Sequence, residues 1–285
     1  MSGVDDILAM IGRHIGKPPG WERLVRIFTS PERRRGADEV WVSRDDMLFA
    51  ADPGVLIGWN VLMFGSYEPE LRRVFESVLR PGDVAIDVGA NVGWHTLLMA
   101  RCVGPGGSVL AIEPNPSVRM RLERNVEINR LENVRILPFA VSNAECTAEF
   151  FAPAARDTGA GDGHLVPAGC GNGNIISVDV RTLDGVVSER QLRGVDLIKL
   201  DIEGFEWPAM RGAERTIERF RPVVVFEYND EYVGRGTGSA REIGDFLGQL
   251  GYRLYTVGRR TRPVQADWPR SANMLAMPQT RARSA

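Results

Sequence analysis

Val84-Ala-Ile-Asp87-Val-Gly89-Ala-Asn91-Val-Gly93 is the stretch whose reading decides the fold. Its apolar start suits a buried strand, and the glycines break that strand into a tight turn before a helix begins near Trp94 and His95. Gly89 and Gly93 carry no Cβ, so backbone there can come within contact distance of a ligand. The GxGxxG fingerprint uses the same device to seat a pyrophosphate on a helix N-terminus. Here Asn91 replaces the second glycine, and Asp87 brings a carboxylate to the strand end. A carboxylate repels a pyrophosphate and suits a cation. S-adenosylmethionine, with its sulfonium and amino group, therefore fits this turn better than NAD.

Strands and helices alternate from this point on. Strands are expected at Val84–Val88, Ser108–Ile112, Val134–Leu137, Val195–Leu200 and Val223–Phe226, with closing strands at Tyr252–Thr256 and Asn273–Ala276. Helices are expected at Val92–Arg101, Pro116–Arg130, Trp207–Phe220 and Ala240–Leu250. Such alternation builds an α/β, Rossmann-like fold: a mostly parallel sheet with helices on both faces and ligands beyond the carboxyl ends of its strands.

Upstream, residues 1–80 read as an N-terminal extension to a main domain of residues 81–285. The extension holds an amphipathic helix over 5–15 and a β-hairpin of Val40-Trp-Val42 and Met47-Leu-Phe49. After a turn at Asp52-Pro-Gly54, a helix opens at Pro69 with Leu71, Val74, Phe75, Val78 and Leu79 on one face. Downstream, residues 153–174 hold six glycines and little apolar content. They read as a flexible surface loop, or as a lid that orders over substrate.

Composition excludes several classes. A net charge of −2 and a pI near 6.0 give no global field toward nucleic acid or membranes. The expected partner is a small molecule, and a homo-oligomer stays open. Cys102, Cys146 and Cys170 show no CxxC spacing, which argues against a disulfide framework or a zinc site. With neither a signal-like N-terminus nor an apolar run of about 20 residues, the expectation is a cytoplasmic protein. Lys17 and Lys199 are the only lysines, a skew read as coding bias.

Several residues could carry chemistry. Glu113 lies about 20 residues beyond the glycine turn, the interval at which an acid reaches nucleoside ribose hydroxyls. Its alternative is a solvated or helix-capping carboxylate ahead of Pro114 and Pro116. Leu137 to Ser142 would line an adenine slot or serve as ordinary core. Asp201 and Glu203 follow an apolar strand on one side, with Gly204 permitting a sharp exit. They could steer a sulfonium, accept a hydroxyl proton, or hold a cation. Alternatively, Glu203 and Glu206 are early helix residues favoured by the helix dipole, with Lys199 as an ion-pair partner. Asp201, Glu203, Glu227 and Asn229 are hard oxygen ligands of the type Mg2+ or calcium accepts, with Asp201, Glu227 and Asn229 the first set to hold an ion if one were bound, although no metal is favoured. His95, at the first turn of the helix, is a candidate general base or a packing residue. His164 would act only from a closed lid, His14 has no context, and Arg33-Arg-Arg35 reads as a solvated turn.

With these residues in view, the chain resembles the FkbM family of S-adenosylmethionine-dependent methyltransferases. The resemblance runs from about Val40 and is carried by three blocks. The first joins Gly65-Ser-Tyr-Glu68-Pro69 to Leu79-Arg-Pro-Gly-Asp83 and the glycine turn. The second joins Val178 to Asp184 with Val195 to Gly204; the third joins Arg221-Pro222 and the strand to Glu227 with Asn273 to Pro278. The resemblance implies a class I methyltransferase sheet of seven strands whose last runs antiparallel. It implies that Asp87, Gly89, Ala90, Asn91 and Gly93 hold the methionyl part, that Glu113, Pro114 and Asn115 hold the ribose, and that Ala140, Val141 and Ser142 contact the adenine. Glu68 and Asp201 join that set near the cofactor's amino-acid end. Family members methylate hydroxyls of polyketides, antibiotics and sugars, so the expected reaction is O-methylation of a small secondary metabolite or sugar. Catalysis then falls to Asp201, Glu203 and His95. Two alternatives stay open: N- or carboxyl-methylation on the same fold, and a nucleoside-binding regulatory domain that turns over nothing.

Overall fold

The computed structural model describes residues 29–31, 39–44, 46–153, 163–166, 173–232, 238–264 and 268–280. The helix expected over 5–15, His14 and Arg33–Arg35 lie outside them. Strands β1 (Val40–Arg44) and β2 (Met47–Ala51) pair antiparallel as the expected hairpin. Helix α1 (Leu56–Phe64) was not expected. It is apolar all round, so it shows no helical period, and every residue from Gly58 to Phe64 is buried. Helix α2 (Pro69–Val78) buries Leu71, Val74, Phe75 and Val78 in the predicted pattern.

The alternating section follows: β3 (Val84–Val88), α3 (Trp94–Val103), β4 (Ser108–Ile112), α4 (Pro116–Ile128) and β5 (Val134–Leu137). Helix α3 starts at Trp94 rather than Val92, because Gly93 has φ 94°, outside the helical region. Then come β6 (Ala140–Val141), β7 (Cys146–Phe151), β8 (His164–Val166) and β9 (Ile175–Arg181), which build a separate sheet ordered β6-β9-β7-β8. Within the segment expected to be a loop, β8 pairs antiparallel with β7.

Next are α5 (Leu183–Glu189), β10 (Leu197–Leu200), α6 (Glu206–Arg211), α7 (Glu214–Phe220) and β11 (Val223–Asn229). The single helix expected over Trp207–Phe220 is split. Gly212 lies against the backbone of Ser142, where a Cβ would fall 2.1 Å from the carbonyl oxygen, and Asp184 caps the second piece by accepting from the Thr216 amide at 2.8 Å. The chain closes with α8 (Ala240–Gln249), β12 (Tyr252–Thr256), β13 (Arg262–Pro263) and β14 (Ser271–Pro278).

The large sheet is ordered β13-β12-β14-β11-β10-β3-β4-β5. Strands β10, β11, β3, β4 and β5 run parallel, and β14 inserts antiparallel between β11 and β12. This is the α/β class I methyltransferase arrangement, with eight strands in place of the expected seven; the addition is the two-residue β13 on the edge. Strand order reverses between β3 and β10, so the ligand crevice of such a fold belongs beyond their carboxyl ends.

Each face of the sheet has its own core. On one face Met47, Phe49, Trp59, Phe64 and Phe75 pack with Trp94, Leu97 and Leu122, so residues 47–79 and the helices α3 and α4 share one apolar cluster. The other face buries Val186, Met210, Ile217, Phe246 and Leu247 against Ile86, Ile198 and Phe226. Two amides fasten the hairpin to α4. Asn129 accepts from the Leu48 amide at 2.8 Å and donates to the Leu48 carbonyl at 2.6 Å. Asn125 accepts from the Ala50 amide at 3.0 Å and donates to the Val92 carbonyl at 2.8 Å, tying the hairpin to the glycine turn. No helix among the described residues is long and apolar enough to cross a membrane.

Candidate functional site

The crevice at the β3–β10 reversal contains a cavity lined by the ends of several elements. Val88, Gly89, Ala90 and Asn91 line it from β3; Ile112, Glu113, Pro114 and Asn115 line it from β4. Phe139, Ala140 and Val141 add a wall after β5, and Lys199, Asp201, Ile202 and Glu203 close it from β10.

The glycine turn serves a purpose the sequence did not reveal. A Cβ on Gly89 would fall 1.9 Å from the carbonyl oxygen of Asp201, and one on Gly93 would fall 2.5 Å from Leu122 Cδ1. Their φ values of 76° and 94° are also left-handed, as is that of Asn91 at 50°. The two glycines therefore admit other parts of the protein, whatever ligand approach they also allow. Gly93 lies outside the lining, while Gly89 shares both duties.

Asp87 points inward rather than into the turn. It is 0% exposed, accepts from the Thr96 hydroxyl at 2.6 Å, and lies 3.2 Å from Lys199 Nζ. The Lys199 contact is ionic, since Asp87 Oδ1 has no hydrogen-bond partner. Lys199 also lies 3.2 Å from Asp201 Oδ2 and donates to the Gly89 carbonyl at 3.4 Å. Burial alone would lower the Lys199 pKa, but the carboxylates of Asp201, Asp87 and Glu68 outweigh it and raise the value.

Glu113 is held at the end of β4 by two backbone amides. Its carboxylate accepts from the Asn91 amide and from the Asn115 amide, both at 2.9 Å. Burial pushes its pKa up to about 7 despite those two hydrogen bonds. Asn115 caps α4 by accepting from the Ser117 amide at 3.1 Å, and its own amide donates to the Pro153 carbonyl at 2.9 Å. Ala140 and Val141 line the cavity; Ser142 lies outside the lining, donating its amide to the Arg181 carbonyl at 3.0 Å.

The wall at β10 is crowded with acids. Single oxygens of Asp201, Glu203 and Glu227 lie within 4.8 Å of one another, three of the four oxygen ligands expected, with Asn229 left out. Asn229 instead accepts from the Glu231 amide at 3.0 Å. Burial, reinforced by Asp201 and Glu203, pushes Glu227 up to about 9. Glu203 has φ 54° and accepts from the Tyr232 hydroxyl at 2.5 Å. Glu206 sits beneath the turn, accepting from the Ile202 amide at 2.9 Å and the Gly204 amide at 3.1 Å; burial pushes it up to about 7.

His95 lines the cavity but is already engaged, with Nε2 2.8 Å from Glu68 Oε2 and Nδ1 buried without a hydrogen-bond partner. Glu68 is outside the lining and also accepts from the Asn273 amide at 2.7 Å. Burial would raise the Glu68 pKa; the hydrogen bond and charge of His95, with Asn273 and Lys199, lower it instead.

The profile of the methyltransferase FkbM domain matches residues 87–254. The chain belongs to the FkbM methyltransferase family. Among curated relatives, the 2-O-methyltransferase NoeI of Sinorhizobium fredii is 26% identical over 194 residues, covering 62% of this chain and 75% of NoeI. The 31-O-demethyl-FK506 methyltransferase FkbM of Streptomyces tacrolimicus is 30% identical over 161 residues, covering 48% of this chain and 61% of that protein. The AMB antimetabolite synthetase AmbE of Pseudomonas aeruginosa is 25% identical over 273 residues, which is 84% of this chain and 13% of AmbE.

Several cavity residues of this FkbM domain escaped the sequence reading. Val55, Leu56 and Ile57 come from the start of the unforeseen α1, and Phe150, Gly163 and Leu165 from the unforeseen second sheet and its edge; His164, expected to act only from a closed lid, lines the cavity from β8. Tyr67, Trp94 and Phe205 complete the missed lining. Lys199 was read as an ion-pair partner but not as a cavity residue, although a nearly lysine-free chain keeps it inside an apolar strand.

Proposed function

We propose that the protein is an S-adenosylmethionine-dependent O-methyltransferase acting on a hydroxyl of a small secondary metabolite or sugar. One observation carries this reading. The carboxyl ends of the neighbouring strands β10, β3 and β4 bring proton-accepting acids, a glycine turn and Glu113 into one cavity in that order. The donor set suits the cofactor: a buried carboxylate for ribose hydroxyls, an apolar wall at Phe139, Ala140 and Val141 for adenine, and acids facing a sulfonium.

When bound, the cofactor supplies the electrophilic methyl group. Glu113 accepts the ribose hydroxyls, and Pro114 and Asn115 shape that edge. Gly89, Ala90 and Asn91 flank the methionyl part, while Asp87, Gly93, Glu68 and Ser142 support the lining from behind. Asp201, in contact with the cavity and with Lys199, orients the acceptor hydroxyl and takes its proton; Glu203 is the second candidate. His95 comes last, because Nε2 is given to Glu68 and Nδ1 is buried. NoeI and the FkbM of Streptomyces tacrolimicus are both named for methylation at oxygen, which supports oxygen as the acceptor atom.

Transfer of isotopically labelled methyl into a panel of glycosides and macrolide alcohols tests the reading. Label in an ether is the expected product. Label in an amine or ester would replace the acceptor, and tight cofactor binding without transfer across the panel would favour a regulatory domain.

A further inference from the structure

The turn that carries Asp201 and Glu203 is built over a carboxylate that stays out of the cavity. Glu206 is 2% exposed, lies outside the lining and opens α6. An acid at a helix start is ordinarily satisfied by solvent and the helix dipole. Here the side chain reaches backward: Oε1 accepts from the Ile202 amide at 2.9 Å and Oε2 from the Gly204 amide at 3.1 Å. Those two amides flank Glu203, so one carboxylate holds the turn on both sides of it.

What lies between them needs holding. Glu203 has φ 54°, a left-handed conformation that a residue with a Cβ adopts at a cost, and Gly204 continues the bend at φ 105°. The bend also crowds like groups, since single oxygens of Asp201, Glu203 and Glu227 lie within 4.8 Å of one another. Strain and crowding both favour a straighter turn, with Glu203 swung away from Asp201. The two ends are fixed independently. The Asp201 amide donates to the Val88 carbonyl at 3.1 Å, and Phe205 packs on the apolar cluster of the second sheet. The Tyr232 hydroxyl meets the Glu203 carboxylate, while Glu206 holds the backbone bend.

We propose that Glu206 is a positioning residue: it fixes the left-handed bend at Glu203 and so sets the Glu203 carboxylate beside Asp201, facing the point of methyl transfer. It acts through Glu203 and touches neither cofactor nor acceptor. This rests on the reading of the cavity as an S-adenosylmethionine site.

Sinefungin and S-adenosylhomocysteine test this on the full chain with no acceptor needed. Sinefungin carries a protonated amine where the cofactor carries its methylated sulfur, and S-adenosylhomocysteine carries a bare sulfur. The ratio of their calorimetric affinities therefore reads the carboxylates that face that point. The native protein should favour sinefungin. Glu206→Gln keeps the volume but leaves one acceptor oxygen for two amides. Its preference should fall about tenfold while S-adenosylhomocysteine affinity holds. Glu203→Gln should lose at least as much, and Glu203→Gln/Glu206→Gln no more than Glu203→Gln alone. A wholly structural Glu206 would weaken both ligands alike, and additive losses in the double variant would place its action elsewhere. Either result overturns the proposal, as does an unchanged preference in Glu206→Gln or none in the native protein. Should Glu206→Gln not fold, Glu203→Gly/Glu206→Gln should, because glycine adopts the bend freely; its failure to fold also overturns the proposal. A native protein that binds neither ligand overturns the cofactor reading instead.

Discussion

The turn after β3 and the turn after β10 lie side by side, yet one is held by backbone and the other by carboxylates. In the first, the amides of Gly89 and Ala90 both donate to the Ile112 carbonyl at 3.0 Å, and the left-handed φ angles admit neighbouring protein. In the second, Asp201, Glu203, Glu206 and Glu227 crowd together around amides, the Tyr232 hydroxyl and Lys199. The difference teaches that shape at the glycine turn is a matter of sterics, which tolerates no side chain. Charge at the end of β10 is a matter of proton distribution, which substitution and pH can move.

The largest effect should come from breaking the steric half. Gly89→Ala places a Cβ against the Asp201 carbonyl at a strained φ, and should cost about 3 kcal/mol in urea unfolding and abolish cofactor binding. A variant with native stability would show that the strand ends can part without consequence.

Next comes the charged half. Asp201→Asn keeps the shape but removes the proton acceptor, so single-turnover methyl transfer should slow by about 10²–10⁴ while cofactor affinity changes far less. Comparable loss from Glu203→Gln alone would reassign the base.

Glu113 belongs to the steric half yet titrates, and it sharpens the contrast. Glu113→Gln should weaken S-adenosylmethionine binding about tenfold at alkaline pH. It should also remove a pH dependence from the free protein. Folded Glu113 keeps a proton until about 7, whereas an unfolded glutamate releases it near 4.5, so its contribution to stability is complete below the lower value and lost as pH rises through about 7. Thermal melts across that window should decline in the native protein and decline less steeply in the variant. Glu206 and Glu227, also raised, act in the same direction, and Glu68, lowered, acts in the opposite one.

The smallest effect lies outside both halves. Asn129→Ala removes the amide that pairs with Leu48 at the protein surface, and should cost about 1 kcal/mol in unfolding with cofactor affinity unchanged. A large loss of affinity would make the hairpin part of the site.

The division between backbone and charge also explains what the sequence made legible. Alternating apolar strands and helices gave the large sheet and its reversal, because each element carries its own period. Helix α1 has no period to read, since its own apolar residues occupy every face. The second sheet depends on pairing β7 with β9 and β8 across a glycine-rich interval, which local composition does not express. Within the site, Glu113, Asp201 and Glu203, picked out by residue type at strand ends, line the cavity. The inward turn of Asp87 was hidden because its partners, Thr96 and Lys199, are distant in sequence or unremarkable by type. The contact that requires Gly89 to be glycine was hidden for the same reason: it is made with the Asp201 backbone.

A crystal structure with S-adenosylhomocysteine tests the central claim most directly. The account predicts ribose hydroxyls on the Glu113 carboxylate, adenine against Ala140 and Val141, and the sulfur turned toward Asp201. An empty cavity at saturating ligand, or a nucleoside seated away from Glu113, would contradict it.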